Sequence, residues 1–303
     1  MKKAELHIHL EGSIGPDTLI EIDPSLTREE IETNLTCTSF PQFLQGYIWV
    51  NKKLQKPEHY ALATRHLLDS LAAQDVTYAE ITLSAGVVIW KEQDLAPVYD
   101  AVWHESQRST IQTFWILDAI RQFGPEKGMD VARFAATHRD DGVVAYGIGG
   151  DEVRGPAHWF SDVFAYARDS GLRLVAHAGE TAGPESVWGA LAIGAERIGH
   201  GIAAAQDPRL VAELRDRNIP LEVCISSNIC TGAVASLDAH PIRALYDAGV
   251  PITVHTDDPA FFRTTLDREY ALAQGSFGIP AEELAANSFR YAFQATQASH
   301  FSP

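Results

Sequence analysis

Cysteine is scarce in this chain: Cys37, Cys224 and Cys230 are the whole set, odd in number and without a CxxC pair. That excludes a disulfide framework and a cysteine-rich zinc knuckle, and free thiols are expected. Basic charge is also short. Lys and Arg number 24 against 40 Asp and Glu, a formal charge of -16, which repels phosphate backbones and anionic lipid surfaces, so neither nucleic acid nor a membrane is expected as a partner. There is no apolar run of the roughly 18 residues that a membrane helix needs. Met1-Lys2-Lys3 leads at once into Ala4-Glu5-Leu6-His7, without the apolar stretch of a secretion signal. A soluble, cytoplasmic protein is the expectation.

What is present is the composition of a globular chain. With 46% hydrophobic and 21% charged residues, a sizeable core can be buried. At 303 residues the length suits one α/β barrel, which commonly takes about 250 residues. Short β-branched or aromatic runs alternate with stretches of helical period, the pattern of βα units around a parallel sheet. The expected strands are Ala4–Leu10, Val76–Leu83, Gln112–Asp118, Val143–Ile148, Leu172–His177, Arg197–His200, Pro220–Ile225 and Val250–Thr256. Helical segments at Leu95–Ser109, Met129–His138, Trp159–Asp169, Glu185–Ala192, Pro208–Arg217 and Pro241–Ala248 lie between them, several closed by Gly171, Gly194 or Gly249.

Eight alternations favour a closed (β/α)8 barrel, a TIM barrel, over an open doubly wound sheet. A single barrel domain is expected over residues 1–303, with a helical insertion at about 11–75 after strand 1. That first connection is far longer than a usual βα loop and must hold helices of its own, at Phe40–Lys53 and Pro57–Ala73. It is placed to act as a lid or as packing, and both readings stand.

In Glu5-Leu6-His7-Ile8-His9-Leu10, strand geometry sends His7 and His9 to one face and the apolar residues to the other. Two imidazoles at i, i+2 can share one metal ion. The pair alone is weak, since two polar residues on a half-exposed strand would look the same. Other metal-type residues fall at later strand ends: His177 and Glu180 in His-Ala-Gly-Glu, His200 in Gly199-His200-Gly201, and Asp257-Asp258 after Thr253-Val254-His255-Thr256. Barrel active sites gather at the C-terminal ends of the strands, so these groups converge.

The segments KAELHIHLEGS, GGDE, HAGE, RIGHG, SSN and HTDDP resemble, in order and spacing over nearly the whole chain, the adenosine deaminase family of the amidohydrolase superfamily. The resemblance implies that His7, His9, His177 and Asp257 bind one Zn2+ per chain. It implies Glu180 as proton shuttle, and His200 as the group that orients the attacking hydroxide and stabilises its charge. Asp258 would hydrogen-bond purine N7 and the backbone of Gly150 would meet N3. The expected activity is hydrolytic deamination of a 6-aminopurine nucleoside, with a small-molecule aminopurine as partner and homo-oligomerisation open.

The chain also departs from the family pattern. Glu11 stands where adenosine-active relatives commonly carry an Asp that reaches a ribose hydroxyl, which makes Glu11 a candidate substrate contact, with His9 beside it. Adenine-specific relatives share the Glu but usually have a Ser-containing sequence in place of Gly149-Gly150-Asp151-Glu152. Relatives acting on 6-aminodeoxyfutalosine, a nucleoside with a bulky aromatic acid on the 5' side, reconcile both features. Adenosine-like compounds, 6-aminodeoxyfutalosine and adenine therefore all remain candidates. Trp90, Arg154 and Arg173 are candidates to meet a substrate acid. His255 replaces a usual Asn and is read as filling the barrel. A binuclear metal site is disfavoured because Val143 to Gly150 contains no Lys. The non-enzyme alternative, an inactive purine- or metal-binding barrel, is opposed by the presence of Glu180 and His200.

Overall fold

The computed structural model describes residues 1–294; the end of the expected 1–303 span lies outside the described residues. The strands are β1 Lys3–His9, β2 Val76–Leu83, β3 Gln112–Ile120, β4 Val143–Gly149, β5 Arg173–Ala178, β6 Arg197–His200, β7 Leu221–Val223 and β8 Ile252–Val254. They pair in parallel in chain order. Beyond β8 the sheet meets its own first strand. The Asp257 amide donates to His7 O and the His9 amide donates to Asp257 O, both at 2.9 Å, so the ring of strands closes on residues that carry candidate ligands.

β7 and β8 are shorter than the sequence suggests. The expected strand Pro220–Ile225 gives way to a helix, Ile225–Cys230. The expected Val250–Thr256 stops at Val254, and Asp257 then turns into the left-handed region with φ 62°. Both interruptions bend the backbone at the C-terminal rim, where side chains must point inward rather than alternate. The helix expected from Met129 already begins at Gly124, started by Pro125 in its first turn. Further helices that the sequence reading did not name are Pro16–Ile22, Arg28–Leu35, Leu266–Phe277 and Ala281–Tyr291.

The insertion contains helix Phe40–Lys53 as expected. Ser39 caps its start by accepting from the Gln42 amide. Lys91 helps hold its end: the ammonium donates to the carbonyls of Asn51 at 2.7 Å and Leu54 at 2.6 Å, alongside the Leu54 amide, which donates to the Asn51 carbonyl at 3.3 Å. Phe40, Phe43, Leu44, Tyr47, Ile48 and Asn51 recur at helical spacing and turn one face toward the strand ends. This helix roofs the cavity described below, so the insertion has a place at the site as well as in the packing.

The opposite end of the barrel is closed by charge and an aromatic ring. Arg197 is fully buried and pairs with Glu80 and with Glu222, each at 2.6 Å. The Phe293 ring lies under the Arg197 guanidinium at 3.7 Å, and its amide donates to Glu80 at 2.6 Å. A buried guanidinium between two carboxylates is tolerated because each charge has a partner.

Candidate active site

His7 and His9 project from β1 as the alternation requires, and they meet His177 from the end of β5, His200 from the end of β6 and Asp257 after β8. The His9 and His177 Nε2 atoms face each other at 3.1 Å. Asp257 Oδ1 stands 3.4 Å from His7 Nε2 and 3.3 Å from His9 Nε2. His7, His177, His200 and Asp257 each offer one ligand atom within 4.8 Å of the others. All lie at the C-terminal rim.

The donor set fits a divalent cation. His7 Nδ1–H donates to Glu222 at 2.7 Å, which directs the Nε2 lone pair inward, and that buried Nε2 has no hydrogen-bond partner. His177 Nδ1–H donates to the Ile148 carbonyl at 3.2 Å, with the same effect on its Nε2. Imidazoles held from behind in this way are the usual form of metal-ligating histidines. Ser227 Oγ–H donates to Asp257 Oδ2 at 2.6 Å and leaves the other oxygen to the cluster. Without a cation, burial opposes charge on His7, but the Asp257 and Glu222 carboxylates outweigh it and raise its pKa to about 10.

Glu180 sits beside this cluster, its Oε2 3.5 Å from His200 Nε2. Burial, then the charges of Asp257 and Glu152, push its pKa well above the usual carboxylate range. Its loop is shaped by Glu152, the last residue of the GGDE segment. The Glu152 carboxylate accepts from the amides of Gly179 at 2.7 Å, Glu180 at 2.9 Å and Thr181 at 2.8 Å, and from the Ser186 hydroxyl. Asp258 is likewise buried and pushed up by burial and the charge of Asp257, with Oδ1 unpartnered. Gly12 lies against it so closely that a Cβ there would overlap the Asp258 carboxylate, so only glycine fits.

A cavity of about 240 Å³ opens onto these groups. His9, His177, Glu180, His200, Asp257 and Asp258 form its inner end, with Gly150 at its side. Its outer part is apolar, walled by Phe40, Phe43, Leu44, Ile48, Trp90 and Phe123. The Trp90 and Phe123 rings stack at 5.4 Å with only 8° between their planes. Lys52 stands at the rim, without a carboxylate partner among the described residues.

Not every expected residue reaches this space. Glu11 is buried in the turn after β1, outside the cavity lining; its oxygens accept from the Ser84 amide at 3.1 Å and the Tyr47 hydroxyl at 3.3 Å. Tyr47 and Ser84 do line the cavity, so Glu11 acts on it only through them. His255 is fully buried and pairs with Glu5 at 2.8 Å, filling the barrel below the site. Arg173 is corrected: it sits at the start of β5, at the far end of the barrel, paired with Glu196. Arg154 is exposed and outside the lining, whereas Trp90 is part of it.

The sequence reading missed Glu222 and Asp118, and gave no role to Asn228 of the SSN segment. A lone acid inside an apolar strand, as in Pro220-Leu221-Glu222-Val223 or Trp115-Ile116-Leu117-Asp118, was the available signal. Asp118 faces the cavity from β3, and burial pushes its carboxyl up to about 7.

A barrel of eight parallel strands with a candidate His/Asp metal site and adjoining acids at its C-terminal rim defines a hydrolase of the amidohydrolase type. The adenosine deaminase family model matches residues 2–301. The chain belongs to that family, and it is a hydrolase acting on C–N bonds. It is 38% identical to the aminodeoxyfutalosine deaminase of Streptomyces coelicolor, over 94% of this chain and 77% of that protein. It is 36% identical to the adenine deaminase of Rhizobium johnstonii, over 94% and 91% of the two chains. The crystal structure of adenine deaminase from Arthrobacter aurescens superposes with a TM-score of 0.90 at 27% identity, covering 98% of this chain and 94% of that one.

Proposed function

We propose that this deaminase acts at C6 of a 6-aminopurine nucleoside, and that the nucleoside is 6-aminodeoxyfutalosine. The observation that carries the choice is the apolar outer part of the cavity. Phe43, Trp90 and Phe123 offer stacking surfaces to an aromatic group on the 5' side, and Lys52 at the rim offers a cation to its acid. Relatives named for that substrate, at 38 and 39% identity, support the same reading. Adenosine would leave this arm without a partner and is expected to react more slowly. Adenine is the second reading, favoured by the relative at 36% identity.

His7, His9, His177 and Asp257 would hold one Zn2+, which when bound lowers the pKa of water toward neutrality. The chain's own groups do the rest. Glu180 takes the water proton and protonates purine N1, which removes the electronic cost of adding oxygen at C6. The C6–O bond forms, the remaining proton of the added hydroxyl passes to the amino nitrogen, the C6–N bond breaks, and ammonia leaves the 6-oxo product. A protonated Asp258 donates to N7 and the Gly150 backbone meets N3, fixing the ring. His200 supports the oxygen through Nε2.

The test is loss of aminopurine absorbance with purified protein and 6-aminodeoxyfutalosine, adenosine, deoxyadenosine or adenine. The highest kcat/KM is expected for 6-aminodeoxyfutalosine, and Trp90→Ala should lower it while leaving adenosine nearly unchanged. If adenine alone reacts, the nucleoside reading is wrong.

A further inference from the structure

The SSN segment ends in Asn228, a fully buried side chain on the helix Ile225–Cys230. It stands between two histidines. Its Nδ2 lies 3.0 Å from His200 Nδ1, and its Oδ1 lies 3.3 Å from His240 Nε2. His240 Nδ1 in turn lies 3.2 Å from the backbone nitrogen of Ile242. The four groups form one unbroken file from the backbone to the catalytic rim.

Only one proton arrangement suits this file. A backbone N–H can only donate, so His240 Nδ1 accepts and the proton of a neutral His240 resides on Nε2. That Nε2–H requires an acceptor, which makes Oδ1 the Asn228 atom facing it and sets the amide orientation. Nδ2–H then faces His200 and donates to Nδ1, so the His200 proton must be on Nε2.

We infer that Asn228 and His240 are positioning residues that lock His200 as an Nε2–H donor, aimed at Glu180 and at Asp257 across the side where water attacks. His200 Nε2 is 3.5 Å from Glu180 Oε2 and 3.9 Å from Asp257 Oδ2. With Nε2 already protonated, His200 has no lone pair there to serve as a base, and proton removal falls to Glu180 alone. The inference rests on the deaminase reading for its catalytic meaning, but the proton location is independent of the substrate.

The direct experiment is a two-bond ¹H–¹⁵N correlation spectrum of the metal-loaded protein carrying ring-labelled histidine, with His200 identified by its loss in His200→Gln. Nε2 is expected to be protonated and Nδ1 unprotonated and accepting. A His200 proton on Nδ1 would overturn the inference even if every aminopurine were turned over. If no aminopurine reacted, this result would still decide the file while the substrate reading failed.

Kinetics supply the second arm. Asn228→Leu is expected to lower kcat roughly 10- to 100-fold with KM within about threefold, and with bound metal unchanged. His240→Leu should act in the same direction. His240→Gln, whose amide N–H can still donate to Asn228, should restore kcat to within about threefold of the parent. Equal damage from Gln and Leu at 240, or unchanged kcat in Asn228→Leu, contradicts the assignment. If the Leu variants fail to fold, the parent spectrum and His240→Gln decide.

Discussion

Glu222 and His7 face each other across the barrel at 2.7 Å, both almost completely buried, and Arg197 clamps Glu222 from behind at 2.6 Å. Burial alone would raise the Glu222 pKa, but Arg197 and His7 hold it down at about 2. Glu222 is therefore an anion at working pH and keeps the His7 proton on Nδ1. Glu222→Gln removes the charge and weakens that direction. Metal affinity is expected to fall about 10- to 100-fold, measured by competition with a chromogenic chelator. Unchanged affinity would mean that Glu222 merely packs.

The same pair sets how metal binding responds to pH. In the metal-free protein His7 holds its extra proton up to a pKa of about 10, and a cation must displace it. Affinity should therefore rise with pH, about tenfold per unit for one released proton, from pH 6 toward 9. Calorimetry in buffers of different ionisation enthalpy counts the protons released; a count of zero at pH 7 contradicts the prediction.

Glu180→Gln keeps the shape of the carboxyl group but cannot carry the proton. It should bind metal as the parent does and lose roughly 10²-fold or more in kcat. Ammonia release at the parental rate would remove Glu180 from the proposed chemistry.

Glu152 receives three backbone amides of the loop that carries Glu180. A carboxylate accepts all of them, whereas the amide of Glu152→Gln must turn a donor toward some. That variant is expected to lower kcat at least tenfold and to lower Tm, since buried charge-assisted bonds contribute about 1.5–3 kcal/mol each. Parental kcat together with parental Tm would show that the loop holds its shape unaided.

Asp118 carries a stability cost that depends on pH. Its pKa rises on folding to about 7, so the folded chain binds more protons than the unfolded one between about pH 4 and 7. Its favourable contribution is complete below the unfolded pKa and is lost as pH climbs through 7. In protein freed of metal, Asp118→Asn should gain stability relative to the parent on going from pH 4 to pH 8, by roughly 3–4 kcal/mol. Thermal melts at both pH values check this, and a difference that does not grow with pH rules it out.

Much of the site can be read from local sequence because its residues come in short, periodic or strand-terminal groups. The alternation around His7 and His9 suffices to put both rings on one face, and His177, Glu180, His200 and Asp257 stand at strand ends where a barrel must gather them. The supporting shell is harder to read. Glu222 and Arg197 support His7 from other strands, and nothing local ties them to it. Glu11 shows the converse failure. It is adjacent in sequence to the site, yet the short helical turn Glu11–Ser13 swings it away from the cavity. The ends of β7 and β8 were overextended for a related reason, because tertiary demands at the rim override the β-propensity of the residues there.

The closure between β1 and Asp257 has a consequence for biogenesis. His7 and His9 leave the ribosome long before Asp257, the candidate ligand that zips the two edges of the sheet together. Until Asp257 emerges, a nascent chain offers only part of that chelate. A cation that needs the full set would load only after the barrel can close.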